Sequence, residues 1–268
     1  MRQRFRALPI GAATLLLSVL ALTALSMTAA PVAAQGTTKT EEIALDPFTS
    51  IQINGGGTAT LTFGDTPSVT ITGNSLIVDQ LDAKVENGQL VLGSVLTSAL
   101  DVSGLSELTY TIVAPAVDEI HLSGTVSLTV PVLPAQDTLV LGLTTGAHLT
   151  IGAMDVQSLT GKLDLLSNAT LTGAAGTMQL EINNGSELHA GELQVGSADL
   201  VLNGMAKATV RVTDTLTGRA AQGSTVEYIT ETVTPEMTTT TMASVTALEF
   251  TPWSGVLPAA APGATPAA

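Results

Sequence analysis

Six times between residues 122 and 226, two apolar residues stand six positions apart and flank a short polar stretch. The pairs are Leu122/Leu128, Leu143/Leu149, Leu165/Leu171, Ile182/Leu188, Leu202/Ala208 and Ala220/Val226. The stretches between them hold Gly124, Gly146, Asn168, Gly185, Gly204 and Gly223. Glycine and asparagine tolerate the positive φ that a tight corner demands. Most pairs extend outward with period two: Ile120, Leu141, Leu163, Leu180 and Leu200 precede them, and Val130, Ile151, Ala190, Val210 and Tyr228 follow. Such alternation marks strands with one buried face.

The units start at 122, 143, 165, 182, 202 and 220, so the steps are 21, 22, 17, 20 and 18 residues. A period near twenty suits one turn of a β-solenoid, with apolar residues stacked inside and polar corners outside. A sandwich of hairpins would place turn signals at shorter spacing, about 8–12 residues. The period favours the solenoid, in which Leu159, Leu193 and Leu216 could supply a third short strand per turn. The N-terminal part repeats the frame irregularly at Ile53/Ala59. Val69–Ile71, Leu90–Leu92 and Leu108–Ile112 read as strands, with Glu86-Asn87-Gly88 as a hairpin turn. No long amphipathic helix is expected after the leader. The fold class is therefore all-β, a single-domain solenoid with irregular N-terminal strands.

Both ends read differently. Arg2, Arg4 and Arg6 precede an uncharged stretch whose densest apolar part is Leu15–Leu25 and which reaches the small residues Val32-Ala33-Ala34. This is the pattern of a secretory signal peptide spanning 1–34, cleaved after Ala34. The alternative is an uncleaved anchor, since about 20 apolar residues suffice to span a membrane. Residues 35–45 are expected to be a linker, 46–250 the solenoid, and 251–268 a Pro/Ala-rich tail of low complexity. No membrane span is expected after cleavage. The expected location is extracellular or in the cell envelope.

Loss of the three leader arginines takes the formal charge from −14 to −17, leaving Lys39, Lys84, Lys162, Lys207, Arg211 and Arg219 as the cations. A chain this acidic is not expected to bind nucleic acid, which needs a basic face. With no Cys there are no disulfides, thiolate metal sites or thiol nucleophiles. His121, His148 and His189 fall one before the first anchor, one before the second and one after the second, three registers that would not stack into a metal ladder. Asp118-Glu119 is the one adjacent acid pair after Glu41-Glu42. Asp164 and Glu181 each fall one before a first anchor and could be neighbours on the outer face. There is no Gly-x-Ser-x-Gly elbow, phosphate loop or calcium nonapeptide. The Asn168 and Asn184 sequons coincide with turns, and Trp253 is the one aromatic residue that could make an exposed contact. No catalytic, cofactor-binding or metal residue is assigned, no cofactor is expected, and the binding residues are unknown.

The motif Phe48-x-x-Ile51-x-Ile53-x-Gly55 is followed by Ala59-x-Leu61, Val69-x-Ile71 and Val85-Glu-Asn-Gly88-Gln-Leu90-Val-Leu92. Together with the serial Ser-Gly-Thr and Asn-Gly-Ser units from Leu122 onward, it resembles the auto-transporter adhesin head domain family, also called the GIN domain. The resemblance covers residues 45 to 230 and rests on turn motifs, which speak for fold far more than for activity. It implies a right-handed β-helix in an exported bacterial protein and carries no catalytic residues. Where the family closes with Tyr-x-Gly-x-Pro, this chain has Tyr228 followed by Ile-Thr-Glu-Thr-Val-Thr-Pro235. No translocator barrel is expected in a chain of this length.

The expected function is that of an exported, non-enzymatic surface domain, adhesin-like, with an envelope-association or binding role toward an envelope or extracellular protein or glycan. The scarcity of charge and aromatic residues supports it. One alternative is an extracellular polysaccharide-active enzyme on a β-helix. Another is an envelope-associated sensory module that binds protein through a sheet edge or through Thr238–Thr241.

Overall fold

The computed structural model describes residues 37–94, 107–255 and 257. The expected leader 1–34, and residues 256 and 258–268 of the expected tail, lie outside the described residues. The chain winds as a β-solenoid of about six turns. Its body is β7 (Glu119–Val130), β8 (Gln136–Thr144), β9 (His148–Leu163), β10 (Asn168–Ile182), β11 (Glu187–Leu202), β12 (Lys207–Ala220) and β13 (Thr225–Ile229). Neighbouring coils pair in parallel, with β7 reaching both β8 and β9. At one end β2 (Ser50–Phe63) lies parallel on β7. At the other, β14 (Glu236–Thr239) and β15 (Ser244–Ala247) continue the stack on β12 and β13.

Two buried ladders carry the six-residue frame from coil to coil. One stacks Ile53, Leu122, Leu143, Leu163, Ile182, Leu202 and Ala220. The other stacks Ala59, Leu128, Leu149, Ala169, Leu188, Ala208 and Val226. The third unit therefore runs from Leu163 to Ala169, two residues earlier than the expected Leu165/Leu171. With that correction the steps become 21, 20, 19, 20 and 18. Both choices set apolar residues six apart, so the pattern alone did not distinguish them.

Most corners turn on two consecutive left-handed residues: Thr145-Gly146, Leu165-Leu166, Asn184-Gly185, Gly204-Met205 and Gln222-Gly223. In the third corner the positive φ belongs to Leu165 and Leu166, 50% and 72% exposed, and Asn168 instead begins β10. The expected corner at Gly124 is also corrected, because β7 runs through it unbroken, as β2 runs through Gly55. A Cβ on Gly124 would stand 2.1 Å from the Gly55 carbonyl oxygen, so glycine there serves close approach of two coils. Behind the corners the buried hydroxyls are satisfied. Ser167 Oγ donates to Leu143 O at 3.2 Å, and Ser224 Oγ donates to Ala221 O at 2.7 Å.

The expected third strand per turn is absent among the described residues. Leu159 and Leu216 lie buried inside the long strands β9 and β12, in one ladder through Met178 and Ala198. Leu193 belongs to another row, opposite Gly173. The pairings among β9, β10, β11 and β12 show register shifts, such as the one between Thr170 and Thr172, without a new strand starting there.

The irregular N-terminal strands are present. β3 (Ser68–Asn74) pairs antiparallel with β6 (Thr109–Ala114), and β6 lies parallel on β2. β4 (Leu81–Glu86) and β5 (Gln89–Ser94) form a hairpin through Asn87-Gly88, both at positive φ. The one-turn helix α1 (Ser75–Val78) starts where the Asn74 side chain accepts from the Leu76 N–H. Within the stretch expected to be a linker, Thr38–Ala44 forms β1, paired antiparallel with β3. Its alternate residues Lys39, Glu41 and Ile43 turn toward the sheet, which is the periodicity a strand requires.

Candidate functional site

Where residues alternate in and out, parallel stacking sorts the outward side chains into rows. One row reads Gln52, His121, Gly142, Lys162, Glu181, Val201 and Arg219. A parallel row reads Ser50, Glu119, Val140, Thr160, Gln179, Asp199 and Thr217. On the other side Asn54, Ser123 and Thr144 align. A second outer face carries a column of hydroxyls: Thr70, Thr111, Thr60, Thr129, Thr150 and Thr170, continued by His189 and Thr209.

The first face is not flat. A trough of about 580 Å³ runs along it, lined by His121, Gly142 and Lys162, with the His121 ring lying over Gly142. Its walls are Gln52, Asn54 and Gln89 on one side and Thr144, Lys162 and Asp164 on the other. A smaller depression of about 320 Å³ lies farther along the same rows, over Thr160, Gln179, Asp199 and Val201. Between the two stands Lys162, whose Nζ lies 3.4 Å from Glu181 Oε1 and 3.7 Å from Asp164 Oδ2.

Hydrogen bonds hold the trough groups in place. His121 Nε2 meets Glu119 Oε1 at 2.6 Å, and that bond holds the Glu119 carboxyl below the usual carboxylate range, assisted by Ser50 against the opposing effect of burial. Asn183 donates to Glu181 Oε1 at 2.7 Å, the main cause of the lowered Glu181 value, with Lys162 adding to it. Asn203 in turn donates to Asn183 Oδ1 at 3.1 Å. Asp164 Oδ1 accepts from Asn184 at 2.6 Å and from the Leu165 N–H at 2.9 Å. The surface offers fixed amides, hydroxyls, an imidazole, a cation and acids, the donors and acceptors that a polyhydroxylated ligand can use.

The three histidines fall in three rows. His121 lines the trough, whereas His148 pairs with Asn168 and His189 with Thr170, on the hydroxyl face. No group of three His, Cys, Asp or Glu fit to hold a metal occurs among the described residues. Asp164 and Glu181 do approach one another, but not by equal register. Glu181 is the row partner of Lys162, and Asp164 reaches the pair from beyond Leu163. Trp253 is half-buried and donates its indole N–H to Glu192 O at 3.0 Å. The sequons at Asn168 and Asn184 lie at the start of β10 and in a corner, Asn184 being at positive φ. Gln52, Gln89 and Gly142 escaped sequence reasoning. They are ordinary strand residues until the coils stack.

A stacked parallel coil with a polar outer trough defines the class as an all-β solenoid. The family described as putative auto-transporter adhesin, head GIN domain matches residues 47–231, and the chain belongs to it. Among solved structures, it is similar to a putative adhesin from Bacteroides fragilis (TM-score 0.69, 16% identity, 79% of this chain and 97% of that one). A putative adhesin from Parabacteroides merdae gives a TM-score of 0.61 at 16% identity, over 80% and 97% of the two chains. A putative lipid binding protein from Parabacteroides distasonis gives 0.59 at 12% identity, over 80% and 98%. At these identities the likeness is one of fold. No protein of curated function matches the sequence. No described helix is long and apolar enough to cross a membrane.

Proposed function

We propose that this chain is an exported, non-enzymatic binding domain of the cell envelope or surface, and that the trough over Gly142 holds a segment of a polar glycan. The observation that carries the reading is the 580 Å³ trough itself, walled by Gln52, Asn54, Gln89, His121, Lys162 and Asp164. Its volume lies within the range of small-ligand sites, about 300–1,000 Å³. The stacked coils fix the backbone that carries such groups, so weak polar contacts along the row add at a reduced ordering cost. Membership in the adhesin head family and the expected leader support an exported, surface-associated role.

The second reading, a polysaccharide-active enzyme, draws on the approach of Asp164 and Glu181 around Lys162. Against it, both carboxylates are engaged by Asn184, Asn183 and Lys162, whereas a glycosidase needs a protonated acid facing a second carboxylate across the scissile bond. One experiment tests both. The mature chain is incubated with a panel of bacterial and host polysaccharides while retention and product release are followed. Retention without new reducing ends, lost in Gln52→Ala and Lys162→Ala variants, is expected. Product release abolished by Asp164→Asn or Glu181→Gln would replace the binding reading with the enzymatic one.

A further inference from the structure

Away from the trough, near the C-terminal end of the coil stack, Arg211 on β12 is 4% exposed. A guanidinium stays charged at any pH a protein tolerates, and buried charges are ordinarily paired. This one has no carboxylate within 4.0 Å among the described residues: Nε donates to Gly191 O at 2.9 Å, Nη1 to Thr251 O, and Nη2 to Thr251 Oγ1 at 3.2 Å. Each terminal nitrogen carries two N–H groups, so among the described residues these bonds engage one on each. Arg211 also lines a cavity of about 240 Å³ whose wall includes Phe250 and Trp253. The volume is just below that of drug-sized sites and suits a single sugar ring.

The walls are prepared for such a ring. Trp253 is fixed by its bond to Glu192 O, and Gly255 lies against the indole, where a Cβ would come within 2.6 Å of ring atoms. Phe250 remains 44% exposed, an apolar face with no partner in the core. Aromatic faces carry the C–H side of sugars. Thr230, Thr232 and Gln194 offer hydroxyls and an amide, and Glu231, the acidic residue of the wall, is an acceptor for sugar hydroxyls. We propose that the cavity between Arg211, Phe250 and Trp253 binds a carboxylate-bearing sugar of the uronic acid class, the carboxylate meeting the buried guanidinium. The assignment does not depend on the trough reading, since the two cavities share no residue.

Trp253 is the sole tryptophan of the chain, so its emission reports on this cavity alone. The full chain is titrated with glucuronate and, in parallel, with glucose. A saturable change in emission with glucuronate, at least tenfold tighter than with glucose, is expected. Arg211→Gln removes the anchor of Thr251 as well as the charge, so the deciding variant is Phe250→Ala, whose side chain makes no hydrogen bond. It should weaken glucuronate about tenfold at unchanged melting temperature, while Gly142→Val leaves the titration as it was. Equal responses to the two sugars, no saturable response to glucuronate, or an unaltered affinity in Phe250→Ala would each overturn the proposal.

Discussion

The imidazole of His121 lies over Gly142, its partner in the next coil: a Cβ built on Gly142 would stand 2.2 Å from His121 Nδ1. The obstructing atom belongs to the end of a side chain, and Gly142 does not have positive φ, so the backbone can accept a larger residue. Gly142→Val is therefore expected to displace His121 and fill the trough while leaving the coil intact. Glycan retention should fall at least tenfold, about 1.4 kcal/mol, with the thermal midpoint little changed. Calorimetric titration alongside a melting curve checks both halves.

Gly173 has the opposite character. It sits at φ 125°, and a Cβ there would lie 2.0 Å from the Met154 carbonyl oxygen of the adjacent coil. Backbone in a stacked coil cannot step aside without breaking its ladder, and alanine does not adopt that φ without strain. Gly173→Ala is expected to destabilise the chain by at least about 2 kcal/mol, a loss that urea unfolding would measure. An alanine variant as stable as the parent would show that the coils are looser than these distances imply.

Ser186 Oγ takes the N–H of Ser167 at 3.2 Å and lies 3.3 Å from Ser167 Oγ, all of it buried. Leaving a buried N–H without its acceptor costs about 1–3 kcal/mol. Ser186→Ala should therefore lower stability by about that amount. Hydrogen exchange at the Ser167 amide should accelerate beyond what the global change explains.

Leu165 and Leu166 hold left-handed φ of 53° and 64° in the position that Asn184-Gly185 occupies one coil later. For a leucine that conformation costs about 1–2 kcal/mol per residue, and both side chains are exposed, so little burial offsets it. Replacing the pair with Asn-Gly is expected to raise stability by about 1 kcal/mol or more, read as a higher denaturant midpoint at constant slope. Unchanged stability would mean that contacts of Leu166 with Gly185 compensate for the strain.

That same corner shows what the sequence could and could not convey. Period two and the six-residue frame reported the all-β coil, because burial of Ile182, Leu188 and their counterparts demands those types at those positions. The offset at the third unit was hidden because Leu163, Leu165 and Leu171 satisfy the pattern equally, and only pairing with Leu143 and Ile182 selects Leu163. The trough was illegible for another reason. Gln52, Gln89 and Lys162 lie far apart in the chain and come to line one trough only through inter-coil register, which no local pattern encodes. Arg211 stood out merely as one of six cations, and its burial depends on Thr251 and Trp253 folding back to reach Arg211 and Glu192.

The carboxylates bonded beside the trough should also make stability depend on acid. Hydrogen bonds from His121 and Asn183 hold Glu119 and Glu181 below the ordinary carboxylate value of 4.5. A carboxylate whose folded value is depressed binds its proton more readily when unfolded, so unfolding takes up protons as the pH drops. The stabilisation is thus fully present above 4.5 and is lost as the pH falls through the lowered folded values. The two side chains are 40% and 48% exposed, so salt screens the charge contribution and the effect is modest. Melting temperatures measured from neutral pH down to about pH 3 should decline for the parent chain. Glu181→Gln should start lower at neutral pH and lose less on acidification, because its side chain has no proton to gain. A parallel decline in both proteins would mean that the Asn183 and Lys162 contacts contribute nothing to the native state's preference for the ionised carboxylate.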